Sequence, residues 1–253
     1  MLGHRWPMQD QYEREAGNPF LDPQWIDADG MILLTLGTGE ETLIERFPRF
    51  LDKEFGPERG PSVETEAGQI LGWKPGDVWG QQKPTTLARW FEREFFKRHV
   101  SQFKRRPIAW HLTSPKGTFQ TIVYYHRFDR NHLTLLRARY VREALESLRK
   151  QLGEAQTAGA DRRALAKVAD LEAKIADVQD FDERLRRLLE GRDREARLWC
   201  PWKTPDEQPV GWEPDINDGV RVNIAPVQRL GLLAADVLSA KDLKSLLAPE
   251  GRS

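Results

Sequence analysis

The sequence predicts an α+β fold: mixed helices with a β-hairpin, followed by a long antiparallel coiled-coil helical hairpin and a short α/β tail. Two patterns carry this prediction. Residues 108–126 are typical of two short strands around a turn, and residues 131–191 carry apolar residues at heptad spacing. We therefore expect three regions: an α+β region with a basic β-hairpin at 1–130, an antiparallel coiled-coil hairpin at 131–195, and a C-terminal tail with a short strand and helices at 196–253.

Composition excludes several classes of protein. Of the 253 residues, 31% are charged and 39% are hydrophobic, and no apolar run reaches the length that spans a membrane. The single cysteine, Cys200, excludes an internal disulfide framework, and the first residues lack the apolar segment of a signal peptide. We expect a protein of the cytoplasm that has no contact with a membrane.

Charge is distributed unevenly although the formal net charge is zero. Residues 1–66 contain fourteen Asp and Glu against six Lys and Arg, whereas residues 67–142 contain fifteen Lys and Arg against four Asp and Glu. An asymmetry of this size indicates that the middle of the chain binds a polyanion.

Local patterns predict the elements before the hairpin. Residues 1–30, rich in Pro, Gly, Asp and aromatic residues, are expected to be irregular. The chain should continue with a strand at Met31–Leu36, a helix at Glu40–Phe55, a long loop with at most one short helix at 56–84, and a helix from Thr85 or Thr86 to about Phe103.

The hairpin combines turn chemistry with alternating side chains. Ser114-Pro-Lys-Gly117 is typical of a turn between the apolar segment Ile108–Leu112 and the β-branched and aromatic segment Thr118–His126. Because side chains alternate along a strand, one face of the second strand should carry Phe119, Thr121, Val123 and Tyr125.

Helical periodicity dominates the second region. Apolar positions of its first helix are Ala138, Val141, Leu145, Leu148 and Leu152, and those of its second are Val168, Leu171, Ile175, Val178, Phe181, Leu185 and Leu188. In the tail we expect a short strand near Val220–Ile224 and a last helix capped by Ser239, with Asp242 three residues on.

Cations concentrate around the hairpin, and they are the candidate nucleic-acid-binding residues. They are Lys97, Arg98, Lys104, Arg105, Arg106, Lys116, Arg127 and Arg130. Closely spaced cations neutralise phosphates, and the turn would place Lys116 at an exposed tip. The alternative is a solvated helix end whose cations pair with the acidic N-terminal part of the chain.

Other chemistry-bearing residues favour a structural role. We expect Tyr124, Tyr125, His126 and Phe128 to be core residues more often than base-stacking ones. His126, Asn131 and His132 lack a second metal-binding element, and Asp170, Glu172 and Lys174 diverge around a helix. Cys200 has no neighbouring histidine and should be a buried thiol. We expect no catalytic residue and no metal site.

Several segments resemble one family in the same order. They are LGHRWP at 2–7, DADG at 27–30, RRPIAW at 105–110, SPKGTFQTIVYYHRF at 114–128, FDERL at 181–185 and DGVRVNIAP at 218–226. In these segments the chain resembles the C-terminal region of BREX-type adenine-specific DNA methyltransferases, the PglX family, and the similar region of type IIG restriction–modification proteins. The resemblance implies a part of an S-adenosylmethionine-dependent enzyme of phage defence.

The chain departs from that family in its catalytic motifs. The Asn/Asp-Pro-Pro-Tyr/Phe tetrapeptide that holds a flipped adenine does not occur, and Asn18-Pro-Phe20 lacks the second proline. Gly37-Thr-Gly39 resembles a cofactor turn only weakly and has no acidic ribose partner at the proper spacing. We expect no cofactor on this chain; S-adenosylmethionine belongs to the parent enzyme.

Two functions remain open from the sequence. The first is a non-catalytic DNA-binding and scaffold part of an adenine-N6-specific methyltransferase, whose partners are double-stranded DNA and a methyltransferase domain or other defence subunit. The chain would then be a split subunit or a truncated gene product. The second is a coiled-coil interaction module that docks another defence subunit without contacting DNA.

Overall fold

Three strands pair in a small antiparallel sheet. The computed structural model describes residues 29–37, 41–72, 85–159, 161–191 and 197–246. The strands are β1 (Met31–Leu33), β2 (Ala109–Thr113) and β3 (Gln120–Tyr124), in the order β1-β3-β2. The hairpin β2–β3 was predicted, and β1 adds to the free edge of β3 with Ile32 opposite Ile122.

Helices account for most of the remaining described structure. They are α1 (Leu43–Phe55), α2 (Gly60–Leu71), α3 (Leu87–Arg93), α4 (Phe95–Gln102), α5 (His132–Leu135), α6 (Arg142–Thr157), α7 (Arg162–Glu190), α8 (Val220–Arg229) and α9 (Ala240–Ser245). The fold is therefore mixed helix and sheet, as predicted. Within the described residues, no helix is both long enough and apolar enough to cross a bilayer.

The predicted elements of the first region differ from the structure mainly at their ends. Helix α1 begins at Leu43 because Thr42 and Glu45 form a capping box, three residues later than expected. The expected loop at 56–84 contains α2, whereas residues 73–84 lie outside the described residues, as do residues 1–28. The helix expected after Thr86 is interrupted at Glu94, which separates α3 from α4.

The two long helices α6 and α7 follow one another across a short connection and lie against each other. Their predicted apolar positions are buried or half-buried except Ala138, which is exposed. A π-helical turn at Leu136–Val141 causes this difference, because its wider turn brings Leu136 and Tyr140 to the buried side instead. Coiled-coil packing of the pair stays a prediction.

One prediction for the tail is wrong. Residues 220–224, expected to be a strand, form the first half of helix α8. Val220-Arg-Val-Asn-Ile224 alternates apolar and polar residues as a strand does. The alternation does not reflect exposure, because Asn223 is buried in the helix between Val222 and Ile224 and donates to the Asp215 carbonyl at 2.7 Å. The expected cap of α9 is present, since the Ser239 side chain accepts the Asp242 backbone N–H at 3.2 Å.

Tail residues also complete the outer edge of the sheet. The Thr113 backbone N–H donates to the Leu232 carbonyl at 2.9 Å, and the Ala234 N–H donates to the His111 carbonyl at 3.0 Å. Strand β2 is thereby paired on both sides, which satisfies backbone groups that an edge strand leaves open. The apolar side of the sheet, with Trp110 and Phe119, packs into one core with the long helices.

Candidate nucleic-acid interface

The hairpin turn is held by a carboxylate from helix α7. Asp177 Oδ2 accepts from Ser114 Oγ at 2.6 Å and from the Thr118 N–H at 3.1 Å, and Oδ1 accepts from the Lys116 N–H at 2.8 Å. Burial raises the pKa of Asp177, but these hydrogen bonds outweigh it and hold the pKa below its ordinary value. The turn is therefore a fixed loop docked on a helix, and not a free tip.

The opposite end of the hairpin, where Ala109 pairs with Tyr124, is tied to helix α4 by His99. Nε2 of His99 accepts the backbone N–H groups of Ile108 at 3.2 Å and Ala109 at 3.0 Å. These bonds require an unprotonated Nε2, and burial lowers the pKa of His99 in agreement with a neutral ring. The segment between α4 and β2 therefore continues from α4 at one end and is hydrogen-bonded back to the same helix at the other.

Within that segment the backbone turns through an uncommon conformation. Lys104 and Arg105 have φ angles of 51° and 62°, in the left-handed region that costs a non-glycine residue roughly 1–2 kcal/mol. The Arg105 N–H donates to the Val100 carbonyl at 2.8 Å, which closes the end of α4. The strain is offset by this cap, and cationic side chains are favourable at a helix C-terminus.

The eight predicted binding residues fall into three places, and all eight are exposed. Lys97 and Arg98 lie on α4. Lys116 lies at the turn, roughly 14 Å of strand away from the opposite end, at about 3.4 Å per residue. The group at the opposite end, which we name the basic cluster, consists of Lys104, Arg105, Arg106, Arg127 and Arg130.

These cations differ in whether they form an ion pair with an acidic side chain. Lys97 lies 3.6 Å from Glu94, and Arg130 lies 3.7 Å from Glu213. In the part of the chain that the structure describes, no acidic side chain pairs with the three consecutive cations of the basic cluster, Lys104, Arg105 and Arg106. The expected alternative was pairing with the acidic N-terminal part at 1–66, of which the structure describes residues 29–37 and 41–66. Within those ranges, Glu41 pairs with Arg49 and Asp29 with Arg139, and no acidic side chain pairs with Lys104, Arg105 or Arg106.

The aromatic residues after β3 divide between core and surface. Tyr125 and Phe128 are buried against Trp110, with ring centroids 5.2 and 4.8 Å away, as expected for core residues. Burial raises the pKa of Tyr125 to about 12, and its hydroxyl accepts from Asn223 Nδ2 at 3.0 Å. Tyr124 and His126 are exposed, which differs from the expectation that they are core residues.

An open cleft of about 680 Å³ lies beside the basic cluster. Arg106 and His126 line one part of it, and Trp202 with the start of helix α8 and part of helix α9 lines another. Asp218 is fixed in its wall by Lys203 Nζ at 2.5 Å and Trp202 Nε1 at 3.0 Å. This cleft was not predicted from the sequence; the signal available was the concentration of tryptophan and proline in residues 199–214.

The remaining candidates occupy structural positions. Cys200 is a buried thiol, as expected, and burial raises its pKa to about 12. His132 Nε2 lies 2.6 Å from the Asp29 carbonyl oxygen, and Lys174 Nζ lies 2.7 Å from Asp170. Within the described residues there is no group of three or more metal-ligating side chains. The weak cofactor turn at 37–39 falls mostly outside those residues.

Comparison with known proteins identifies relatives of one kind. The chain is 25% identical over 229 residues to the adenine-specific methyltransferase BrxX of Escherichia coli O9:H4 (strain HS), across 87% of this chain and 16% of that protein. It is 31% identical over 129 residues to the adenine-specific methyltransferase PglX of Lacticaseibacillus casei (strain Zhang), across 49% and 10%. The chain thus spans only a small fraction of either relative. No protein-family model matches it.

Proposed function

Since this chain is related to the BREX-type adenine-specific methyltransferases, we propose that it is a non-catalytic, DNA-binding and scaffolding part of such a phage-defence enzyme. Duplex DNA is its ligand, and a methyltransferase domain or another defence subunit is its partner in the cytoplasm. S-adenosylmethionine binds to that other part, and the present chain positions DNA without taking part in methyl transfer.

The basic cluster carries this proposal. Lys104, Arg105 and Arg106 are exposed, consecutive and without an acidic partner among the described residues. Cations of this kind release condensed counterions from DNA and supply most of the affinity that does not depend on base sequence. His99 anchors the strand that follows, so the three side chains project from a backbone of defined shape.

The long helices supply the scaffold. Asp177 of α7 holds the hairpin turn, and Phe181 of the same helix packs its ring 5.2 Å from Phe119 of the hairpin. We propose that α6 and α7 form an antiparallel coiled coil that braces the hairpin against DNA. Charge on its outer surface then keeps it solvated.

Duplex-DNA binding across a salt series tests the proposal. Fluorescence anisotropy is measured for the wild-type chain, for Arg105→Glu with Arg106→Glu, and for a matched control, Arg162→Glu with Arg163→Glu. The control changes two adjacent exposed arginines at the start of α7, away from the basic cluster. Circular dichroism establishes that all three chains fold alike.

The expected result is salt-dependent binding that the first variant weakens strongly and the control retains. Two lost phosphate contacts should reduce the slope of log K against log salt by about 2, because each contact contributes about 0.9. If both variants weaken DNA binding equally, the loss of affinity follows from the change in net charge, and this result would contradict a defined interface. No binding of the wild-type chain at low salt would refute the DNA role and favour partner docking.

A further inference from the structure

The cleft beside the basic cluster presents an exposed aromatic ring in a fixed position. Trp202 is 56% exposed, the indole N–H donates to Asp218 Oδ1 at 3.0 Å, and the ring lines the cleft. Large aromatic side chains are usually buried, and one that is exposed but held in place presents a preformed surface for stacking. The hydrogen bond fixes the edge of the ring and leaves a face for a ligand.

The cleft also carries one uncompensated positive charge. Its two carboxylates are already paired, Asp218 with Lys203 at 2.5 Å and Asp242 with Arg221 at 2.7 Å. Hydrogen bonds and the Lys203 charge hold the pKa of Asp218 below its ordinary value despite burial, so the pair is ionised at neutral pH. Arg106 has no acidic partner among the described residues, and its guanidinium is therefore available to an anionic ligand.

The remaining wall is uncharged. His126 is half-enclosed by Tyr124 and Tyr125, each with a ring centroid 5.4 Å away, and burial lowers its pKa. A neutral imidazole beside tyrosine rings offers aromatic surface and no second charge. The cleft thus combines π surface with a single unpaired cation among the described residues, and its volume is within the range of sites for small organic ligands.

A nucleotide combines the complementary features, a flat base and a phosphate. Arg106 lines the cleft and follows Lys104 and Arg105 directly in the chain, so one short backbone segment carries cations both at the cleft and beside it. We propose that the cleft takes one unpaired nucleotide of bound DNA, its base stacked on Trp202 and its phosphate paired with Arg106. This inference rests on the proposed function, because the nucleotide belongs to DNA that the chain has already bound.

Two labelled DNAs test the inference, a fully paired duplex and the same duplex with one extrahelical 2-aminopurine. The chains compared by anisotropy are the wild type, Trp202→Ala, Trp202→Phe and the control Phe55→Ala, which removes a 48% exposed ring from α1. Base–aromatic stacking corresponds to roughly 5- to 150-fold in affinity. We expect the wild type to prefer the extrahelical base by a factor in that range and to quench its fluorescence.

The variants separate stacking from folding. Trp202→Ala should abolish the preference and the quenching while binding the paired duplex within about twofold of the wild type. Trp202→Phe should retain most of the preference because it keeps a ring, although it loses the bond to Asp218. Phe55→Ala should behave as the wild type.

Each contrary outcome has its own meaning. Paired duplex bound without any preference for the extrahelical base overturns the inference and leaves the proposed function intact. Binding of only the extrahelical DNA supports the inference and contradicts duplex binding as the main function. Free 2′-deoxyadenosine monophosphate bound as tightly as the extrahelical DNA shows that the cleft takes a free nucleotide and overturns the strand-bound source.

Discussion

Replacing Asp177 with asparagine tests how strongly helix α7 fixes the hairpin. The carboxylate is 4% exposed and accepts three hydrogen bonds, from the Ser114 hydroxyl and from the backbone N–H groups of Lys116 and Thr118. Asparagine keeps the volume, but only one of its two terminal atoms accepts. At least one of these buried donors therefore loses its partner, and the others lose a charged acceptor.

The expected cost is about 2–4 kcal/mol in the free energy of unfolding. A hydrogen bond to a charged group contributes roughly 1.5–3 kcal/mol, and an unsatisfied buried donor costs about 1–3 kcal/mol. The matched control is Asp170→Asn on the same helix. Asp170 is exposed and pairs only with Lys174, so its loss should cost less than about 0.5 kcal/mol.

Urea unfolding followed by circular dichroism measures both variants, with the midpoint expected to shift at unchanged slope. Since the folded-state pKa of Asp177 is lowered, its stabilising effect is complete above the ordinary aspartate pKa and is lost as pH falls through the folded value. The gap between wild type and Asp177→Asn should therefore narrow in acid. A cost no larger than that of Asp170→Asn, or a gap that does not depend on pH, would refute the reasoning.

Two further predictions concern buried titratable groups. Burial lowers the pKa of His111 from an ordinary 6.5 to about 4. A hydrogen bond between its Nε2 and the Gln120 side-chain oxygen acts in the opposite direction but is the weaker effect. The unfolded chain thus binds the proton first, and stability should fall by about 3 kcal/mol between pH 6.5 and 4. His111→Asn should lack that part of the pH dependence in urea unfolding at several pH values; an identical pH profile would contradict it. Cys200, with its pKa near 12, should resist iodoacetamide at pH 8 until urea unfolds the chain, and mass spectrometry detects the label. Rapid labelling of the folded chain would show that the thiol is accessible.

Local chemistry was enough to predict the hairpin and two of the helix caps. Ser114-Pro-Lys-Gly117 has the residues of a turn, and Thr86 and Ser239 have the side chains that accept a first-turn N–H. Residues 220–224 were assigned wrongly, because their apolar–polar alternation is typical of a strand although Asn223 is buried in the helix. The interruption at Glu94 left no local signal that we recognised.

The candidate site could be predicted only in part, for a different reason. Composition identified the cations, but the sequence does not show which of them pair with acidic residues, as Arg130 does with Glu213. Asp177 was overlooked since its partners lie about 60 positions away in the chain. Its place between Ile175 and Val178, two apolar positions of the same helix, was the available signal, because a charge there needs buried donors.

The tail segment that completes the sheet has a consequence for synthesis. Leu233 bridges to Leu112, roughly 120 residues earlier in the chain. At about 5–20 residues per second, a ribosome needs roughly 6–24 s to make the intervening chain. During that interval the outer side of β2 remains available to other nascent chains, and helices α6 and α7 are synthesised within it. The tail can close the sheet only after both long helices have been made, so a chaperone that shields β2 would act in this interval.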